Sequence, residues 1–251
     1  DQEKTFKFES FYTPPFTEIF VKVFAIRSVP IESQSGTFAA GNTISKGTSP
    51  NDTTAVVYGV DGTTLHIGPS TLNGTGTEFA AGDTISVSGG ASATISASPA
   101  ITAANNEFAF STTTAGGVYN LYMGTGNLFQ LFDDRTYRFN VADGTMSGRD
   151  FKVSETINGE YGPDGATGGG DDGTEYTTGK TTNGSAGSAG AYVQYAFGDS
   201  TTPAALYMYD GGTGTASNAN YGGNDRSLLF ISTYTYPGFY VFDKVGTIVD
   251  N

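Results

Sequence analysis

Apolar and polar residues alternate with a period of two along most of this chain, and almost nowhere with the period of a helix. In "YRFNV", Tyr137, Phe139 and Val141 fall on one face, with Arg138 and Asn140 on the other. "FKVS" repeats this with Phe151 and Val153, and "YVQYAF" and "LYMY" continue it. "SLLFISTYTY" is β-branched and aromatic, and "FYVFD" follows Pro237-Gly238. Near the start, "TFKFESF" and "EIFVKVFAI" flank Pro14-Pro15. Each of these runs predicts a strand.

Turn signals separate the runs. Asn-Gly occurs at Asn73, Asn158 and Asn183, and Asp-Gly at Asp61, Asp143, Asp164, Asp172 and Asp210. Both dipeptides tolerate positive φ and favour tight hairpin turns. The pattern predicts an all-β chain of tandem β-sandwich or Greek-key domains with long glycine-rich loops.

One segment recurs. "GTFAAGNTIS" (Gly36–Ser45) returns as "GTEFAAGDTIS" (Gly76–Ser86), so that Phe38 and Phe79, Gly41 and Gly82, and Ile44 and Ile85 correspond. The first copy runs on into "TAVVYGV" and "TTLHIG", the second into "SATISAS". Two copies of one small β unit account for this. The chain then divides into residues 1–35, an N-terminal strand segment; 36–104, a small β region holding the repeat; and 105–251, a β-sandwich domain. Within the first segment, Thr5–Val29 is either a strand offered to a neighbouring subunit, since exposed edges invite pairing, or the first hairpin of its own domain.

Composition narrows the chemistry. Only 37% of residues are hydrophobic, but 18 Phe and 15 Tyr supply large buried areas, so the core is expected to be thin and aromatic. The net charge of −13, with twelve scattered Lys and Arg, argues against a nucleic-acid partner. No apolar run reaches the roughly 20 residues that span a bilayer, so no membrane insertion is expected. The chain opens at Asp1 without Met, which predicts that a preceding segment was removed, and what remains shows no signal peptide. Without Cys, disulfides and thiol chemistry are excluded.

The second domain carries a resemblance. "YRFNVADGTMSGRDFKVSETINGEYG", then "GTEYTTGKTTNGSAGSAGAYVQYAF" and "AALYMYD", resemble a module of marine tailed-phage structural proteins over residues 136–223. The Gly173–Gly179 block is its most specific part, and the repeat region also resembles phage virion modules. The resemblance implies a cupredoxin-like β-sandwich whose His, Cys and Met ligands could hold copper. This chain departs from it at the ligands: Arg149 stands at the His position and Asp210 at the Cys position, and "GGTGTASNANYGG" has neither His nor Met. A copper site needs imidazole and thiolate together, so no cofactor is expected.

Other candidates are few. His66, the single histidine, sits in "TTLHIG", where a hydrogen-bonded strand-face role is expected. Carboxylate pairs suited to glycosidase chemistry are Asp133 with Asp134, Asp171 and Asp172 with Glu175, and Glu155 with Glu160. Asp133 and Asp134 would point to opposite faces of a strand. "GPDGATGGGDDGTE" offers Asp164, Asp171, Asp172 and Glu175 as weak calcium candidates, outside any EF-hand spacing. Gly168-Gly169-Gly170 lacks the Lys-Ser or Lys-Thr of a phosphate loop.

The reading that results is a non-enzymatic structural protein of a phage particle surface, in capsid decoration or a tail fibre, located on the virion or extracellularly. Its partners would be copies of itself and other particle or surface proteins, with host-surface glycans as a further class. The alternatives are a subunit of an extracellular filament or surface layer, and a carbohydrate-binding or depolymerising tail protein.

Overall fold

The structure, a computed structural model, describes residues 16–122, 129–198, 202–212 and 228–232. Almost all of its regular structure is strand. In chain order these are β1 (Thr17–Ser35), β2 (Thr43–Lys46), β3 (Thr53–Asp61), β4 (Thr64–Ile67), β5 (Thr71–Leu72), β6 (Thr84–Val87), β7 (Ser92–Ile95) and β8 (Asn105–Ser111). Then come β9 (Asn120–Leu121), β10 (Leu131–Phe132), β11 (Thr136–Asn140), β12 (Phe151–Ser154), β13 (Lys180–Asn183), β14 (Tyr192–Ala196), β15 (Ala205–Asp210) and β16 (Leu228–Ser232). The only described helical elements are two 3-10 turns, Gly144–Met146 and Gly159–Tyr161.

The strand β1 has 19 residues and serves two modules in succession. Its first part pairs in parallel with β11 through Thr17–Phe20 and antiparallel with β8 through Phe20–Ile26. Its second part pairs with β4 through Arg27–Pro30 and with β7 from Ile31 onward. Alternation along β1 tracks this change. Ile19, Val21 and Val23 enter one core, Ile26 enters a junction with Ala109, Tyr119 and Leu121, and Val29 and Ile31 enter a second core. Phe24 completes the junction by stacking on Tyr58 of β3 at 4.3 Å between ring centroids. The segment 1–35 thus does not stand apart: from Thr17 onward it pairs within its own chain, while residues 5–15 lie outside the described residues.

The repeat builds the second core. The hairpins β2–β3 and β6–β7 join through β2–β6, and β4 and β1 close the ring β1–β4–β3–β2–β6–β7–β1. Closure removes free strand edges and buries Phe38, Ile44, Phe79 and Ile85 together. In the β2–β6 pairing Ser45 faces Ser86, its own counterpart in the other copy, so a local two-fold axis passes between them. The turns before the two strands also match. Asn42 accepts the Ala39 N–H at 2.8 Å, and Asp83 accepts the Ala80 N–H at 2.6 Å. Gly41 and Gly82 hold φ near 86° and 83°, a region that disfavours side chains, and donate to Val57 and Ile95 at 2.8 Å.

The turns differ in charge, with Asn42 in one copy and Asp83 in the other. Asp83 also meets Lys46 Nζ at 2.6 Å, with the lysine mostly buried. Asp83→Ala is therefore expected to destabilise by about 2 kcal/mol and Asn42→Ala by about 1 kcal/mol. Urea denaturation of the two variants checks this, and equal midpoints would contradict it.

The first core lies between two sheets. One runs β13–β14–β11–β1–β8–β9 and the other β10–β16–β15–β12. Phe108, Phe110, Phe139 and Tyr195 of the first face Phe151, Leu206 and Met208 of the second. Phe139 and Phe151 sit 4.6 Å apart at the centre. The strands "YRFNV", "FKVS", "YVQYAF", "LYMY" and the start of "SLLFISTYTY" are all present; "TFKFESF" and "FYVFD" fall outside the described residues. Asp61-Gly62 makes the β3–β4 hairpin, whereas Asp143-Gly144 opens a 3-10 turn, because the Asp143 carboxylate caps the Thr145 N–H.

Candidate functional site

The glycine-rich stretch after β12 is fastened to the sandwich rather than hanging from it. The Tyr176 N–H donates to Val153 O at 2.8 Å, the Gly173 N–H to Gly159 O at 2.9 Å, and Ser154 Oγ to Thr174 O at 2.6 Å. Gly159 has φ near 55°, and a Cβ there would stand 2.2 Å from the Tyr209 ring, so only glycine fits. This stretch thereby covers the outer edge of β12.

A charge network lies beneath it. Lys152 Nζ, on β12, is 2.7 Å from Glu160 and 3.9 Å from Glu175, and Glu175 also pairs with Lys180 of β13. Burial pushes the Glu160 carboxyl up, but hydrogen bonds from Lys152 and Tyr209 and the Lys152 charge outweigh it, leaving the group below its ordinary value. Burial lowers the Lys152 amine, yet the Glu160 hydrogen bond and the charges of Asp150, Glu160 and Glu175 leave it raised. Burial, then the bond to and charge of Glu160, push the Tyr209 hydroxyl up.

A carboxyl with a depressed folded value contributes stability above its unfolded value and loses it as pH falls through the folded one. Lys152→Met is therefore expected to destabilise at neutral pH and by less at about pH 3, because the stability that the depressed Glu160 carboxyl contributes declines as pH falls below its unfolded value. Urea midpoints of wild type and variant at both pH values check this. A deficit that is the same at both would contradict it.

The calcium candidates divide. Asp164, Asp171 and Asp172 converge, with one carboxylate oxygen of each within 4.8 Å of the others. Asp172 Oδ2 accepts the Gly168 and Gly169 N–H groups at 2.6 and 2.9 Å, and Asp164 accepts the Ala166 N–H at 2.8 Å. The trio offers three of the six to eight oxygens that Ca²⁺ takes. Glu175 is not among them, because two lysines hold it elsewhere.

The remaining candidates are scattered. Asp133 and Asp134 lie in the turn between β10 and β11 rather than on a strand, and Asp134 is 3.5 Å from Arg135. Glu155 is exposed beyond β12, while Glu160 is tied to Lys152. His66 is buried on β4 with Nδ1 3.1 Å from Ser28 Oγ.

Arg149 and Asp210, two of the residues expected above to stand in ligand places, lie side by side. Arg149 Nη1 is 3.4 Å from Asp210 Oδ2, and Asp210 is fully buried. Its Oδ1 accepts the Asp150 N–H at 2.8 Å and the Gly212 N–H at 2.9 Å. A guanidinium and a carboxylate fill this place, and they do not fit copper, which takes imidazole and thiolate. Sequence reasoning missed the pairing, although Leu206, Met208 and Asp210 share one parity of "LYMYD" and so one face.

A cleft of about 540 Å³ opens between the end of β12, the Asp172–Thr178 stretch and Pro203. Its lining is mostly hydroxyl and carboxylate. Among the described residues no helix is long and apolar enough to cross a membrane. Fold and site together define an all-β protein with a closed barrel, a sandwich and a polar cleft on the sandwich. In comparison with known proteins, the chain matches no protein family, no curated protein and no solved structure.

Proposed function

We propose that the protein is a non-enzymatic structural component of an extracellular or particle surface, acting through assembly and surface contact. The observation that carries this reading is the single strand β1, which runs unbroken through both modules and makes them one stiff unit. The glycine-rich stretch, pinned at Gly159, Val153 and Ser154, presents fixed loops rather than loose ones, and fixed loops suit repeated contacts. A phage particle as the setting rests on the motifs of residues 136–223 alone. An extracellular filament or surface layer is the second setting, and it draws on the same stiffness.

Negative-stain electron microscopy of the native protein, in its source material and alone, tests the reading. Filaments from this chain alone favour the self-assembling setting, and decoration of capsids or tails favours the particle. A dispersed monomer that decorates nothing overturns both. Deleting residues 1–15 leaves β1 whole, so the fold is expected to survive. Loss of assembly in that variant assigns the contact to those residues.

A further inference from the structure

We propose that the cleft beside β12 binds a neutral saccharide, a contact that goes beyond assembly and does not depend on it. Its lining includes Glu155 and Thr156 just after β12, Thr174, Thr177 and Thr178 of the glycine-rich stretch, and Pro203. The side chains of Glu155, Thr177 and Thr178 are exposed and have no hydrogen-bond or ionic partner among the described residues. The walls themselves do not yield. Tyr176 N–H to Val153 O, Ser154 Oγ to Thr174 O and Lys180 N–H to Thr177 O hold the backbone in place. Free polar groups on a fixed backbone recognise a ligand with only their side chains left to order.

The lining selects the ligand class. An apolar ligand finds no apolar floor, because the Tyr176 ring is buried with Tyr195 and Phe197 in the sandwich core. An anion meets Glu155, Asp172 and Glu175. A cation finds Glu155 as its one unengaged carboxylate, too few for a hard ion, since Lys180 and Lys152 offset Glu175 and the Gly168 and Gly169 N–H groups engage Asp172. A peptide strand finds no edge, since the Tyr176–Val153 bond and the Ser154–Glu175 bridge already occupy β12. What remains is a neutral ligand with hydroxyls on every side. The Glu155 carboxylate accepts from vicinal hydroxyls, and threonine hydroxyls donate to ring and hydroxyl oxygens. The cleft volume is in the range of about 300–1,000 Å³ typical of small-ligand sites.

The test probes the full chain on a printed array of neutral, sialylated and sulfated oligosaccharides, with EDTA and then with Ca²⁺. The best-retained neutral glycan is next titrated against wild type, Glu155→Gln and Thr177→Val/Thr178→Val. These positions are exposed, so melting temperatures should not move. Retention of neutral glycans in EDTA, weakened about tenfold or more in either variant, is the expected result. No retention, retention of anionic glycans only, or affinity unchanged in both variants overturns the proposal. Retention that requires Ca²⁺ moves the site to the Asp164, Asp171 and Asp172 cluster and likewise overturns it.

Discussion

Phe139→Ala is expected to destabilise the protein by about 3–5 kcal/mol, the range for truncating a fully buried aromatic. Phe139 stands where the two sheets of the sandwich meet. Its ring lies 4.6 Å from Phe151, 6.3 Å from Tyr195 and 6.5 Å from Phe129. Three surrounding aromatic rings close poorly over a cavity of that size, so the loss should fall toward the upper end. At roughly 2–4 °C per kcal/mol for a chain of this size, the melting temperature should drop by about 10 °C or more. Val56→Ala, at a residue 38% exposed, should stay within about 0.5 kcal/mol and serves as the control. Scanning calorimetry makes the measurement. It should also show one transition rather than two, because β1 belongs to both cores. A melting temperature within a degree or two of wild type would contradict the packing described.

Arg149→Met should destabilise by about 2–4 kcal/mol, because it strips the cation from a fully buried carboxylate. The figure is set below that of a wholly enclosed pair because the arginine side chain is 23% exposed. Adding Asp210→Asn should recover most of the loss. Both backbone donors, from Asp150 and Gly212, point at Oδ1, and asparagine keeps an oxygen there while removing the charge. Urea denaturation of the single and double variants separates charge from shape. If the double variant is as unstable as the single one, the arginine stabilises by packing and not by neutralising Asp210.

Alternation made much of the fold legible. "YRFNV" indicated the inward face of β11, and Tyr137, Phe139 and Val141 are all buried there. The repeat indicated duplicated units, and Ser45 opposite Ser86 shows how they meet. What alternation does not carry is partner choice. A period of two says which residues share a face, not which strand lies alongside, so the closure of the barrel on β1 was invisible. The same limit hid the parity change within β1, where Val23, Ile26 and Val29 turn to three different cores. For the site, the acidic residues of the glycine-rich stretch were legible as a group. The removal of Glu175 from that group was not, since it depends on Lys152 and Lys180 arriving from two different strands.

The strand β1 also fixes how the protein meets a pulling force. Its contour is about 60 Å at roughly 3.3 Å per residue. Tension along it cannot be released by peeling one hydrogen bond at a time, since β11, β8, β4 and β7 flank it in turn. The ladders are loaded in shear, those of β11 and β8 along the first half of the strand and those of β4 and β7 along the second. Tethered through the start of β1, the chain would meet drag with ladders in shear in both modules rather than with one hairpin that unzips.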